Sequence, residues 1–425
     1  MLKTYRMIDK HLYFKYKGIQ LLFTLTNPLL LVVFFNLLAL ICFFLTPSEL
    51  MLSFASENKY ISFHSGIIYI LFLIAFSLGC LITPKENKIL IFEIPREKLQ
   101  VIRPLIKISA FGTFVLSIIG YFFWFKHLLL KPHELIYMYI SHGAYFTRML
   151  LKQNMVSGLT TLTQFGILSA ILFYILFLVS SQRRYIIPIG IILFLALLRA
   201  LVFSERLAML EIMIPVIFIY LRFHPEKIFR VLVTGLIVFA LLWSSELLRS
   251  FMSPKYYLRY EPIEFLGYRF LMYFSTTVNN AFLIFDKYHP YQDFMPNLLK
   301  FYYKLLGTKD LMSYKEFEYL LMTFGNPEYN NQSFFGELYF DWGILGIIIS
   351  FIYGVILKIL YNHYKKSSLL GIFLYPICLT FLFQSYRINY LTNSRVIYPI
   401  IGLLFLYLIC IFKVKIKYNN ECKDI

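Results

Sequence analysis

Long apolar runs recur along the whole chain, separated by short polar segments. Ten of them are close to the length that crosses a bilayer as a helix. Several are short, which helix tilt or a half-buried end accommodates. The predicted spans are residues 23–45, 63–83, 106–125, 158–180, 185–202, 207–221, 229–247, 338–360, 368–385 and 396–412. The pattern therefore predicts an all-α integral membrane protein with about ten transmembrane helices.

Composition supports this class and argues against several others. The chain is 59% hydrophobic and only 15% charged, whereas a soluble domain carries about 25% charged residues. Its five cysteines lie in apolar runs or the tail without metal-ligand spacing, so neither a disulfide framework nor a zinc site is expected. The net charge of +18 is dispersed along the chain without a binding motif, and no nucleic-acid partner is expected.

The distribution of basic residues predicts the orientation in the membrane. Of 41 Lys and Arg residues, 23 fall in one set of alternating connections and helix ends, and nine fall in the short connections of the opposite set. The other nine lie in the long connection, which the positive-inside rule does not count. Both termini are therefore expected in the cytoplasm and the long connection outside.

That long connection divides the chain into three predicted parts: an N-terminal bundle of about seven spans (1–247), the outer connection (248–337) and a C-terminal three-span bundle with its tail (338–425). Within it, residues 264–286 form an apolar stretch with a polar centre, STTVNN. This pattern predicts a helix that lies at the outer interface or dips into the protein.

The long connection is also rich in tyrosine, with twelve of the chain's 34. Tyrosine offers an apolar face and a hydroxyl, so the pattern is typical of an interfacial aromatic belt or of a sugar-binding surface. Tyr256, Tyr257 and Tyr260 in KYYLRYEP interleave with basic residues. This mixture suits a substrate that contains both sugar and phosphate.

Arginines at the predicted outer ends of the spans are candidate anion-binding residues. A guanidinium stays charged when partly desolvated and binds phosphate oxygens in a bidentate manner. Two alternatives remain open, which are pairing with nearby glutamates and snorkelling to lipid headgroups. The candidates are Arg206, Arg249, Arg259, Arg269, Arg387 and Arg395, with Arg199 and Glu205 close to the first of them.

The stretch NNQSFFGELYFDWGILG, residues 330–346, carries two carboxylates into an apolar run. Glu337 and Asp341 are four residues apart and would share one helix face. A capped helix is one interpretation, with Ser333 as N-cap and the acidic residues near the helix N-terminus. The alternative is that Glu337 faces a water-filled cavity, where it orients an arginine or accepts a proton from a sugar hydroxyl.

This stretch resembles the late segment of bacterial repeat-unit polymerases, the Wzy-type O-antigen and capsule polymerases. Gly336, Glu337, Asp341, Gly343 and Gly346 hold that family's Gly-Glu-x-x-x-Asp-x-Gly-x-x-Gly pattern. The segment FSERLAMLEI, residues 203–212, resembles the family's Ser-Arg step between two central spans, with Glu205 inserted. Many spans with one large outer loop in the second half also match the family plan.

The resemblance implies glycosyl transfer at the outer face of the bacterial inner membrane, in a fold like that of GT-C glycosyltransferases. Donor and acceptor would both be glycans on undecaprenyl pyrophosphate, with no cofactor or metal and with a chain-length regulator as partner. Arg206, with Arg249 or Arg269, would hold the donor pyrophosphate. Glu337, supported by Asp341, would activate the acceptor or orient an arginine. Arg259, Arg387, Arg395 and the three tyrosines would bind substrate.

Three other functions remain open at this stage. An O-antigen ligase shares the general plan and is the nearest alternative. A flippase for the same lipid-linked unit usually has shorter loops and two related halves, and this chain has neither. A purely structural membrane protein fits poorly with so many arginines around one outer connection.

Overall fold

The computed structural model describes residues 15–84, 96–133, 137, 158–203, 205, 207–251, 260–288 and 312–421. Helix accounts for 87% of the structure, and the described residues contain no strand. The predicted all-α class is therefore confirmed. The predictions made for Arg206, Arg259, Tyr256 and Tyr257 lie outside the described residues.

A helix overlaps each of the ten predicted spans. The described α-helices of ten or more residues, numbered in chain order, are α1 (15–25), α2 (Pro28–Leu45), α3 (Phe63–Ile82), α4 (Arg96–Leu130), α5 (Phe165–Ser180), α6 (Ile186–Phe203), α7 (Leu207–Phe223), α8 (Ile228–Phe251), α9 (Pro262–Lys287), α10 (Met312–Phe324), α11 (Ser333–Trp342), α12 (Gly346–Lys365), α13 (Leu369–Gln384) and α14 (Ser394–Glu421).

The molecule is a multi-pass helical membrane protein, but fewer helices than ten are long and apolar enough to cross a bilayer. Six segments among the described residues pass that test, and a bent pair raises the number to seven. The pair is Leu207–Phe223 and Pro225–Leu241, which meet at 118°. Helix α13 is apolar but has only 16 residues, about 24 Å at 1.5 Å per residue, which is short of a full crossing.

Successive helices run back and forth, so the connections collect at two ends of the bundle. We call the end with residues 46–62 and 205 the distal end, and the end with residues 181–185 and 366–368 the proximal end. Helices α3 and α12 lie side by side in direct backbone contact. A Cβ added to Gly354 would lie 2.2 Å from the carbonyl oxygen of Phe76, so only glycine permits this approach.

Helix α9 lies inside the bundle, although it belongs to the predicted outer connection. From Ser275 to Phe285 every residue is buried. The Thr46 and Ser275 hydroxyls lie 2.7 Å apart, and the ring of Phe285 stacks on that of Phe72 with centroids 6.1 Å apart. Of the two predicted positions for this helix, the one that dips into the protein agrees with this burial.

The predicted span 338–360 is divided between two helices. Helix α11 ends at Trp342, and Gly343 then adopts φ 57° and ψ −140°, a conformation open mainly to glycine. After this turn Gly346 packs against the carbonyl of Leu338 and the ring of Phe72. The chain therefore reverses, and α11 forms a short hairpin with α12.

Helix α13 ends beside the middle of α2. Asn36, the ninth of the eighteen residues of α2, donates from Nδ2 to the Ser385 hydroxyl at 3.2 Å. The segment 385–393 therefore crosses the interior at about half the depth of the bundle. On its proximal side the ring of Tyr375 packs on those of Tyr361 and Tyr364, at centroid distances of 5.6 and 5.3 Å.

Candidate functional site

A buried network of two arginines and two glutamates joins α6, α7 and α14 near the distal end. Arg199 Nε donates to Oε2 of Glu205 at 2.9 Å. Arg395 donates to the same Oε2 from Nη2 at 3.0 Å and to Oε1 of Glu211 from Nη1 at 3.3 Å. The two carboxylates therefore hold one guanidinium, that of Arg395, from both sides.

Neighbouring side chains fix this network in place. Tyr390 donates its hydroxyl to Oε1 of Glu211 at 3.1 Å, and Arg199 donates to the Thr163 hydroxyl at 3.1 Å. The Arg199 guanidinium also lies 3.9 Å from the centroid of the Trp124 ring. Buried charges are tolerated when they are paired and hydrogen-bonded, and these contacts supply that condition.

Arg395 is the most accessible member of the network. Its side chain is 22% exposed, whereas those of Glu205 and Glu211 are 6% and 3% exposed. It stands at the first turn of α14, directly after the segment that crosses the bundle interior. Its guanidinium is thus held in one orientation, and its side chain as a whole remains partly exposed.

The crossing segment forms a backbone junction with the start of α11. Ser333 N donates to the carbonyl of Arg387 at 3.0 Å, and Phe334 N donates to that of Ser385 at 3.1 Å. The Ser333 hydroxyl accepts the amide hydrogen of Gly336 at 3.0 Å, which is the bond predicted for an N-cap serine. The helix boundary itself begins at Ser333, one residue earlier than that assignment.

Glu337 and Asp341 both lie on α11 and are both buried, at 8% and 7% exposure. They are therefore on one side of the helix, as their spacing predicts, and that side faces the protein. The Tyr353 hydroxyl lies close to the Asn389 side chain and within electrostatic range of both carboxylates. Asn389 is the neighbour of Tyr390, so the acidic pair and the arginine network adjoin through the crossing segment.

Arg387 brings a further guanidinium to the same crossing segment. It lies over the ring of Tyr273, 4.3 Å from the centroid, and its buried Nε has no hydrogen-bond partner. Within the described part of the chain it forms no ion pair. Gln332 directly precedes Ser333, and Gln384 directly precedes Ser385, so both lie one residue from the junction. Each has a buried Oε1 without a hydrogen-bond partner. Buried polar atoms normally have partners, so this junction suits water or a polar ligand.

Arg269 belongs to a second polar cluster around α9. It is 8% exposed and donates to the Tyr329 hydroxyl. Asn280, from the polar STTVNN centre, donates to the carbonyl of Asn331 at 3.0 Å. These contacts tie α9 to the chain that leads into α11.

Arg249 and Tyr260 are two further residues that the sequence predicts for the site. Arg249 lies in the last turn of α8, but its side chain is not among those described. Tyr260 packs its ring against Phe54 and Tyr268, with centroids 5.3 and 5.6 Å away. These contacts make Tyr260 part of an aromatic packing cluster at the distal end.

Glu211, Tyr390, Asn389 and Tyr353 are site residues that the sequence analysis did not select. A signal for Glu211 was present, because it is a carboxylate inside the apolar run LAMLEIMIP and ionisable residues in membrane spans are commonly functional. Tyrosines and asparagines are too common in this chain to indicate a site by themselves. Their role becomes visible only from their contacts.

A separate buried carboxyl group lies at the distal end. Glu57 is 1% exposed and accepts from Asn279 Nδ2 at 3.2 Å, while its Oε1 has no hydrogen-bond partner. Burial raises its pKa to about 8, because desolvation disfavours the charged form. At neutral pH the Glu57 side chain is therefore uncharged. Its hydrogen bond with Asn279 links the 56–62 segment to α9.

The described residues contain no group of three or more side chains suited to holding a metal ion. The cluster instead combines carboxylates with hydrogen-bonded guanidinium groups inside a membrane bundle. Such a site can bind an anion at the arginines and accept a proton at a carboxylate. No family profile, curated protein or solved structure matches the chain.

Proposed function

We propose that the protein is a polymerase that joins lipid-linked oligosaccharide repeat units at the outer face of the bacterial inner membrane. The observation that carries the proposal is the junction between the start of α11, the helix that carries the buried acidic pair, and the crossing segment, which carries Arg387 and leads into Arg395. The carrier would be undecaprenyl pyrophosphate for both donor and acceptor. The distal end would face outward, with both termini cytoplasmic, in an arrangement like that of GT-C glycosyltransferases.

The proposed reaction passes a glycan from one carrier to a sugar hydroxyl on another. The acceptor oxygen forms a new bond to the anomeric carbon of the donor glycan, and the bond from that carbon to the pyrophosphate oxygen breaks. The electron pair leaves with the carrier pyrophosphate. The hydroxyl proton passes to a carboxylate, which we assign to Glu337, and from there to water. General-base help of this kind contributes roughly 10²- to 10⁴-fold.

The leaving pyrophosphate needs positive charge more than it needs a nucleotide-binding fold. Arg387 is suited to this task because it has no carboxylate partner among the described residues. Arg395 is suited to a supporting contact because Glu205 and Glu211 fix its direction. Arg206, with Arg249 or Arg269, remains proposed for the same headgroup. A chain-length regulator remains the proposed protein partner.

The gene's deletion in its host separates this function from its rivals. Surface glycan is examined on a gel, and the carrier-linked pool is examined separately. A polymerase loss leaves lipid A core that bears a single repeat unit. A ligase loss instead leaves bare core with long chains on the carrier, and a flippase loss removes glycan from the outer face altogether. Either of these two results would replace the proposal.

Complementation of the deletion tests the assigned carboxylates. Glu337→Gln and Asp341→Asn keep side-chain size while removing the charge, and each is expected to shorten surface chains to one unit. Glu318→Gln is the matched control, because Glu318 is an exposed carboxylate on α10 and its loss should leave the ladder intact. Full ladders from both site variants at normal protein levels would refute the assignment.

A further inference from the structure

An apolar groove runs between α4 and α6 in the distal half of the bundle. Its volume is about 350 Å³, more than twice the roughly 150 Å³ of an engineered apolar cavity that binds benzene. On α4 the lining residues follow spacings of three and four, which place them on one helix face. The lining includes Ile118, Tyr121, Phe122, Phe125, Leu195 and Leu198, with Leu129 towards the distal end.

The groove has a buried floor and an open edge. Tyr121 and Phe125 are 2% and 8% exposed, whereas Phe122 and Leu129 are 57% and 65% exposed. Helix α4 contains one of the candidate spans, Gln100–Lys126, and α6 is an apolar helix of 18 residues. The open edge therefore faces hydrocarbon when the protein is in a bilayer. Its lining is almost entirely apolar.

Tyr121 separates the groove from the charged network. Its ring lines the groove, while its hydroxyl lies within electrostatic range of Arg199 and Glu211. Leu198, also in the lining, directly precedes Arg199 in the chain. The groove and the network therefore lie on opposite sides of Tyr121. The exposed Lys126 of α4 adds a positive charge near the distal opening of the groove.

We propose that this groove binds the first isoprenoid units of a polyprenyl phosphate carrier. The inference rests on the proposed function, since it supplies the tail site for the headgroup that the arginines would bind. An apolar channel open to lipid accepts a hydrocarbon chain. The exposed Lys126 near its distal opening favours a chain that ends in an anionic phosphate. The groove would orient the carrier so that its headgroup faces the 385–395 segment.

Filling the groove tests this binding. Leu195→Trp and Leu198→Trp place an indole in the space where the chain would lie. Phe194→Trp is the matched control, because Phe194 is the adjacent residue on α6, is 59% exposed and lies outside the lining. Undecaprenyl monophosphate is titrated into each purified full-length variant, and bound lipid is counted by native mass spectrometry. Phosphatidylglycerol serves as an anionic lipid without an isoprenoid chain.

The groove variants are expected to bind undecaprenyl monophosphate about tenfold more weakly than the parent, equal to about 1.4 kcal/mol, and the control is expected to bind normally. Leu195→Ala, which widens the groove, should retain binding even if a tryptophan variant proves unstable. Equal binding of undecaprenyl monophosphate by all variants would overturn the proposal that the groove holds its chain. Displacement of the polyprenyl lipid by an equal amount of phosphatidylglycerol would overturn it as well.

Failure of the groove is distinguishable from failure of the proposed function. Normal lipid binding by the tryptophan variants, together with a ladder that is still lost in Glu337→Gln, would reject the groove and leave the polymerase intact. A deletion strain with the ligase or flippase phenotype would reject the polymerase whatever the groove binds.

Discussion

The rings of Phe334 and Tyr353 lie 5.5 Å apart between centroids and cross at 90°, although nineteen residues separate them in the chain. A continuous helix would place them about 28 Å apart at 1.5 Å per residue. The contact therefore fixes α11 against α12 as a hairpin, and Gly343 forms its turn. Because Glu337 and Asp341 lie between these two points, the hairpin determines which way they face.

Gly343→Ala should damage this turn. A residue with a Cβ is strained at φ 57° and ψ −140°, at a cost of about 1–3 kcal/mol. We expect lower thermal stability in detergent and shorter glycan chains. Gly112→Ala in α4, where an added Cβ would have no atom within 4 Å, should be neutral. Equal behaviour of the two variants would show that the turn tolerates a side chain.

Arg387→Ala should lower polymerisation strongly, and Arg387→Lys should restore little of it. A lysine keeps the charge but lacks the planar fork that binds two phosphate oxygens at once. Removing a group that stabilises developing charge costs roughly 10²- to 10³-fold in rate. The measurement is the rate of chain extension in membrane vesicles supplied with lipid-linked repeat units.

Arg183→Ala is the control for that experiment, since Arg183 is exposed at the proximal end. It should extend chains at the parental rate. A full rate from Arg387→Lys would mean that only charge is needed at this position. A full rate from Arg387→Ala would remove the residue from the site.

Glu205→Gln should destabilise the protein. Its Oε2 serves Arg199 and Arg395 at once, and removing one partner of a buried ion pair costs about 3–5 kcal/mol. The expected result is a clear drop in unfolding temperature in detergent. Glu49→Gln, at an exposed carboxylate in the distal connection, should leave the temperature unchanged. Parental stability in Glu205→Gln would show that the network tolerates an unpaired guanidinium.

Glu57 should make stability depend on pH. Its pKa is raised from 4.5 to about 8 in the folded protein, so between these pH values the folded chain keeps a proton that the unfolded chain has lost. Stability must then fall as pH rises through this window, by up to about 1.4 kcal/mol for each pH unit, and level off above it. The folded protein is therefore most stable while Glu57 is protonated.

Glu57→Gln mimics the protonated side chain and removes this dependence. The difference in unfolding temperature between the variant and the parent should grow in favour of the variant from pH 5 to pH 8 and then stay constant. Tyr60 is a titratable group whose charge couples to Glu57, and it is left unchanged. A difference that does not vary with pH would refute the buried neutral carboxyl.

The helix positions could be predicted from the sequence because apolar runs alone define them. The count of crossings could not, since the 118° bend between α7 and the following helix and the reversal at Gly343 depend on tertiary packing. Burial of Glu337 and Asp341 on one helix face follows from their spacing. The partner of Arg395 does not, because Glu211 lies 184 residues away in sequence and neither residue carries a local signal for the other.

Because α13 ends at about half the depth of the bundle, the apolar layer that blocks the passage of ions is thinner at this place. Polar residues reach the level of Asn36 from the distal side, so at this place only the proximal half of the bundle separates them from the other face of the membrane. The stacked rings of Tyr361, Tyr364 and Tyr375 supply that seal. Smaller side chains there should open a path for protons and ions through the bundle.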